Sequence, residues 1–185
     1  MNWANRLTLL RVLLIPVFLL FMYWKALPNA YFFAAVVFTA ASLTDILDGY
    51  LARREKKVTV FGKVFDPIAD KLLVLAALVI LTEQGLLHSI IAFFLIAREI
   101  LISGFRIVMA EKGEVISASW LGKTKTVLQD VAIILILLGN CGLSFFGFLN
   151  TLYLPAIAVG GAVVFTLWSM ADYLAGNLKN FSTEE

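Results

Sequence analysis

Six stretches of mostly apolar residues, each eighteen or more long, follow one another along this 185-residue chain. They run roughly Leu7–Trp24, Tyr31–Leu51, Val64–Leu81, Leu86–Met109, Trp120–Leu138 and Leu149–Leu174. The hydrocarbon layer of a bilayer takes about 20 apolar residues per helix. Backbone polar groups at that depth must be satisfied within the segment, so each stretch is expected to be helical. The pattern predicts an all-α integral membrane bundle of six transmembrane helices. Six spans use about 120 residues, which leaves one domain over residues 1–185 and no room for a second. Hydrophobic residues make up 61% of the chain and charged residues 15%. That balance excludes a disordered chain, a disulfide-stapled module and an ordinary soluble enzyme. A single cysteine, Cys141, and a single histidine, His88, exclude an internal disulfide and a Cys/His metal cluster.

The breaks carry turn or charge signals: Leu27-Pro28-Asn29, Arg53–Lys57, Glu83-Gln84-Gly85, Glu111–Glu114 and Asn140–Gly142. Basic residues set the orientation. Arg6 and Arg11 lie at the N-terminus, Arg53, Arg54, Lys56, Lys57 and Lys63 around the second connection, Lys112, Lys123 and Lys125 around the fourth, and Lys179 in the tail. The remaining connections hold only Lys25. Both termini and the even connections are therefore expected in the cytoplasm. Tyr23, Trp24, Lys25 and Pro28 follow the first stretch where a small-residue cleavage site would stand, so it reads as a retained span rather than a signal peptide. The net charge of +2 points to no nucleic-acid partner.

Asp45 and Asp48 lie near the cytoplasmic end of the second stretch, and Asp66 and Asp70 open the third. Carboxylates at membrane depth are costly and are usually paired, wet or functional. Spacings of i, i+3 and i, i+4 put each pair on one helix face, and two antiparallel neighbours would bring both pairs to one depth. Four unneutralised carboxylates repel one another, so cations must balance them. All-oxygen ligands suit Mg²⁺, Mn²⁺ or Ca²⁺ rather than zinc, as one ion or as two. Gly49 and Ala52, one turn after Asp45 and Asp48, leave room for a ligand or for close helix packing. Arg53 is placed to hold a phosphate. Arg54, Lys56 and Lys57 equally suit an inside-positive anchor. Gly62 stands four residues before Asp66, and Pro67 suits a first helical turn.

These residues spell D-x2-D-G-x2-A-R-x8-G-x3-D-x3-D at Asp45, Asp48, Gly49, Ala52, Arg53, Gly62, Asp66 and Asp70, with no departure. In this the chain resembles the CDP-alcohol phosphotransferases. The resemblance implies attack by an alcohol on the lipid-side phosphate of CDP-diacylglycerol, with CMP leaving. It implies that Asp45, Asp48, Asp66 and Asp70 bind two divalent ions, Mg²⁺ or Mn²⁺, and that Asp70 is the base. It further implies that Gly49, Ala52, Arg53, Thr59 and Gly62 serve the CDP-lipid. Relatives often carry T-P-N-x-[IL]-T before the first span. Asn5, Leu7 and Thr8 keep that pattern, while Trp3 and Ala4 depart from it. Asn5 and Thr8 thus read either as CDP-lipid contacts or as helix caps.

Arg98 and Arg106 lie within the fourth stretch, eight residues and under a quarter-turn apart. Lys123 and Lys125 open the fifth, where they cannot both face inward. Cations inside a bundle suit an anionic acceptor, although Arg98 would also pair with Glu99 or Asp130. Ile96-Ala97-Arg98-Glu99-Ile100, Gly122-Lys123-Thr124-Lys125-Thr126 and Leu167-Trp168-Ser169-Met170 resemble the bacterial branch that makes phosphatidylglycerophosphate. That implies glycerol 3-phosphate as acceptor, bound by Arg98, Arg106, Lys123 and Lys125, in a bacterial inner membrane. Other acceptors, namely serine, an inositol phosphate or phosphatidylglycerol, stay open. A divalent-cation transporter fits less well, because the acids sit away from the midplane and no inverted repeat is visible. The spacings Gly142–Gly147 and Ala156–Gly160 suit helix contacts in a homodimer.

Overall fold

The computed structural model describes the backbone of residues 3–24, 26–55, 60–111 and 120–181, and the side chains of residues 9–24, 26–44, 71–107, 109 and 120–173. Among these residues the chain is helical throughout. The helices are α1 (Trp3–Tyr23), α2 (Ala30–Glu55), α3 (Val60–Glu83), α4 (Ser89–Glu111), α5 (Trp120–Gly139), the short α6 (Phe148–Thr151) and α7 (Leu154–Phe181), with a 3₁₀ turn at Ser144–Phe146. The all-α expectation holds. The six long helices fall on the six apolar stretches and outrun several of them.

Two boundaries differ from the sequence reading. The sixth stretch, expected to run unbroken from Leu149, is divided into α6 and α7. Tyr153 between them adopts φ 53°, and Pro155 stands in the first turn of α7, where its missing N–H costs least. The third helix begins at Val60, so Pro67 is its eighth residue and not part of its first turn. Membrane helices tolerate an interior proline because neighbouring groups satisfy the freed backbone.

Helix ends explain the tight connections. Gly85 takes φ 73° just past α3, and the amides of Leu86 and Leu87 both turn back to the Leu81 carbonyl at 2.9 and 3.1 Å. Glycine enters that left-handed conformation without steric cost. Tyr23 donates to Glu83 at 2.5 Å, and Tyr31 donates to Gln84. Trp24, Asn29, Gln84 and Cys141 line one cavity. The first, third and fifth connections therefore gather at one end, as an alternating bundle requires.

α1 packs on α2 and α3, α2 on α5, α3 on α4, and α7 on α4 and α5. Small residues let the helices approach: Ala34, Ala35, Ala41, Ala77, Ala132 and Ala162 are all buried. The rings of Phe18 and Phe38 meet at 5.9 Å between α1 and α2. The outer surface is apolar as well, with Leu13, Val36, Val79, Phe93, Val127 and Ile157 exposed, one on each long helix. A water-soluble bundle would not leave such a belt. Among the described residues Leu154–Tyr173 is by itself long and apolar enough to cross a membrane, and Leu9–Tyr23 and Ala30–Thr44 are shorter apolar helices.

Candidate active site

The interior turns polar midway along the helices. Arg11 on α1, Arg98 on α4, Lys125 and Gln129 on α5, and Thr166 and Ser169 on α7 are all buried. Arg11 was counted with the basic residues that set the orientation. It lies inside the bundle at 1% exposure, on a helix that packs against α2 and α3.

Glu99 organises the cations. Lys125 donates to Glu99 Oε2 at 2.6 Å, and Arg98 Nη1 reaches the same oxygen at 3.4 Å. Arg98 Nη2 donates to Ser169 Oγ at 3.2 Å, and Ser169 in turn donates to the Thr166 carbonyl at 3.1 Å. Ser42 of α2 donates to Asp130 of α5 at 2.7 Å. Six polar side chains thus tie together α2, α4, α5 and α7. Lys71 and Val74 of α3, Glu99 of α4 and Lys125, Gln129 and Asp130 of α5 line a cleft beside this network.

The charge balance of this cleft decides what it can hold. Among the described residues that line it, Lys71 and Lys125 balance Glu99 and Asp130, and Arg98 beside Glu99 adds a third cation next to the cleft. Two buried cations that share one carboxylate oxygen are only partly neutralised by it, and such a pair attracts an anion. Exposure separates the four expected acceptor cations. Lys125 lines the cleft and Arg98 is buried beside it on Glu99, whereas Arg106 and Lys123 are exposed and do not line it. The helical argument that Lys123 and Lys125 cannot both turn inward is met by Lys125 turning in.

Asp45 and Asp48 lie on α2, and Asp66 and Asp70 on α3. These two helices are in contact. The side chains of all four, and those of Asn5, Thr8, Gly49, Ala52, Arg53 and Gly62, lie outside the described residues, as does Thr59 altogether. The helical register still relates them to the cleft. Position 70 is one turn before Val74 on the same face of α3, and position 45 is one turn after Ser42 on α2. The donor chemistry on these two helices is carboxylate oxygen alone, which fits a hard divalent cation.

The family model of the CDP-alcohol phosphatidyltransferases matches residues 1–176. This chain belongs to that family. Membership makes it a phosphatidyltransferase of phospholipid biosynthesis and a membrane protein. Three similar proteins are each named CDP-diacylglycerol–glycerol-3-phosphate 3-phosphatidyltransferase. The one from Bacillus subtilis (strain 168) is 38% identical over 98% of this chain and 98% of its own length. That from Pseudomonas fluorescens is 40% identical over 100% of this chain and 94% of its own. That from Escherichia coli (strain K12) is 43% identical over 94% and 93%.

Within this phosphatidyltransferase, the sequence singled out Lys125 of the cleft and its neighbour Arg98, but not Gln129 of the cleft or Ser42, which donates to Asp130. Gln129 had a signal of its own. It is a polar residue directly before Asp130 at the edge of an uninterrupted apolar run, Val131–Leu138, and an intramembrane polar group usually has a task. Ser42 had none, because serine is common where membrane helices pack.

Proposed function

We propose that this chain transfers the phosphatidyl group of CDP-diacylglycerol to glycerol 3-phosphate, giving phosphatidylglycerophosphate and CMP. The observation that carries this reading is the buried pair Arg98 and Lys125 on Glu99, at a cleft lined by Lys125 and Glu99 one turn from the helix position of Asp70. A phosphate-bearing acceptor supplies the anion that pair suits, and a neutral alcohol does not. The names of the similar proteins agree with it.

Asp45, Asp48, Asp66 and Asp70 hold Mg²⁺ or Mn²⁺, two ions in this reading. Those ions, when bound, offset the pyrophosphate charge and polarise the attacked phosphorus. Gly49, Ala52, Arg53 and Gly62, with Asn5, Thr8 and Thr59, hold the CDP-lipid. Arg98 and Lys125 fix the acceptor phosphate, and Arg106 and Lys123 at the surface draw the anion in. Asp70 takes the proton of the acceptor hydroxyl. The new oxygen–phosphorus bond forms as the bond to CMP breaks.

α1 to α5 and α7 span the bacterial inner membrane, with both termini and the Lys/Arg-rich even connections in the cytoplasm. The whole chain forms one domain. Ala156 and Gly160, exposed on α7, leave space for a second copy.

The test is CMP release by the purified chain in detergent with CDP-diacylglycerol and Mg²⁺ or Mn²⁺, offering glycerol 3-phosphate, serine, inositol phosphate and phosphatidylglycerol singly. Release with glycerol 3-phosphate alone, abolished by EDTA and restored by either ion, is the expected outcome. Release with a different acceptor overturns the reading of the cationic cleft. Divalent-ion binding with no release at all would favour ion transport.

A further inference from the structure

The ion-pair network leaves a buried amide oxygen in the cleft unanswered. Gln129 is 2% exposed, and its Oε1 has no hydrogen-bond partner among the described residues. It stands on α5 one turn deeper than Lys125 and lines the polar cleft with Lys71 and Asp130. On its other side it borders an apolar cavity walled by Leu78, Leu95 and Ile133. The residue therefore sits at the floor of the cleft, where polar lining gives way to hydrocarbon.

A buried acceptor without a donor is costly, and native proteins rarely keep one unless something fills the gap. An amide oxygen repels a phosphate, so this atom does not serve the acceptor's anionic end. It requires an O–H or N–H donor. Glycerol 3-phosphate carries two hydroxyls, of which one reacts and the other is a spectator that must also leave water on entering the cleft. We propose that Gln129 Oε1 accepts a hydrogen bond from the spectator hydroxyl of the acceptor. Gln129 thereby selects a polyol phosphate over a simple hydroxyalkyl phosphate. This inference rests on the acceptor reading given above. A site built to pair a hydroxyl rejects the analogue lacking it, because the buried partner is then stranded.

The probe is 3-hydroxypropyl phosphate, which keeps the phosphate and a primary hydroxyl but lacks the second one. Wild-type chain in detergent, with CDP-diacylglycerol and Mg²⁺, is expected to favour glycerol 3-phosphate by about tenfold in kcat/KM. Gln129→Met, of similar volume and without an acceptor oxygen, should bring that ratio close to one. Gln129→Glu retains an acceptor oxygen and should keep the preference. The ratio compares two acceptors on one preparation, so partial loss of folded protein cancels. A wild-type ratio near one overturns the proposal without recourse to any variant. Wild-type preference persisting in Gln129→Met overturns the role of Gln129 alone. Failure of the wild type to release CMP with either phosphate overturns the acceptor reading on which the role rests.

Discussion

Lys123 and Lys125 are two residues apart on α5 and have opposite environments. Two helical residues turn the side-chain direction by more than half a circle, so burying Lys125 at 1% exposure leaves Lys123 outside. Their substitutions should separate accordingly. Lys125→Met is expected to raise the KM for glycerol 3-phosphate about tenfold or more and to leave that for CDP-diacylglycerol nearly unchanged. Lys123→Ala should act through attraction at a distance, lowering kcat/KM modestly at low salt and hardly at all at high salt. Steady-state kinetics with each substrate varied, at two ionic strengths, checks both. Equal effects on both substrates would remove Lys125 from the acceptor site. Asp70→Asn is expected to reduce turnover by at least about a hundredfold while the protein still elutes as a folded species, since it removes the proposed base. Near-normal CMP release by that variant would rule out the base role.

At the scale of the helix, one element meets two solvents. α2 turns Phe38 into the bundle against Phe18 and leaves Val36 outward, half exposed. In lipid an apolar side chain gains nothing by exchanging acyl chains for neighbouring helices, so the packing itself carries the stability. Phe38→Ala is therefore expected to destabilise by about 3 kcal/mol, the low end for emptying a buried phenyl site. Val36→Ala should change the thermal midpoint in detergent little, because acyl chains refill the space. Similar losses at both positions would contradict a lipid-facing Val36. The boundaries of the elements were the least legible feature. Hydropathy locates apolar stretches, but α2 and α3 continue to Glu55 and back to Val60 through segments interrupted by Arg53, Arg54, Glu55 and Lys63. The Tyr153 turn lies within a stretch that hydropathy reads as continuous.

For the whole molecule, the alternation of helices gathers three connections at one end, around Trp24, Gln84 and Cys141. The basic connections are left to the other end. The proposed orientation predicts that a fluorescent protein fused after Glu185 is bright and that alkaline phosphatase fused there is inactive. The reverse pair of results would invert the bundle and put the carboxylate helices' connection outside. The same alternation brings Ser42, Glu99, Lys125 and Ser169 from four helices to one depth.

The amino-acid sequence alone determined the helical membrane class, the number of long helices and the eight signature positions from Asp45 to Asp70. Those properties follow from local composition and from spacing along one chain, which need no knowledge of neighbours. Only the tertiary structure decided that Arg11 is interior, that Lys125 rather than Lys123 faces the cleft, and that Glu99 bridges Lys125 and Arg98. It alone revealed Gln129 as an unanswered acceptor. A helix has one periodicity, and its sequence says which residues share a face. Which face meets a partner is settled by the packing of all the helices together.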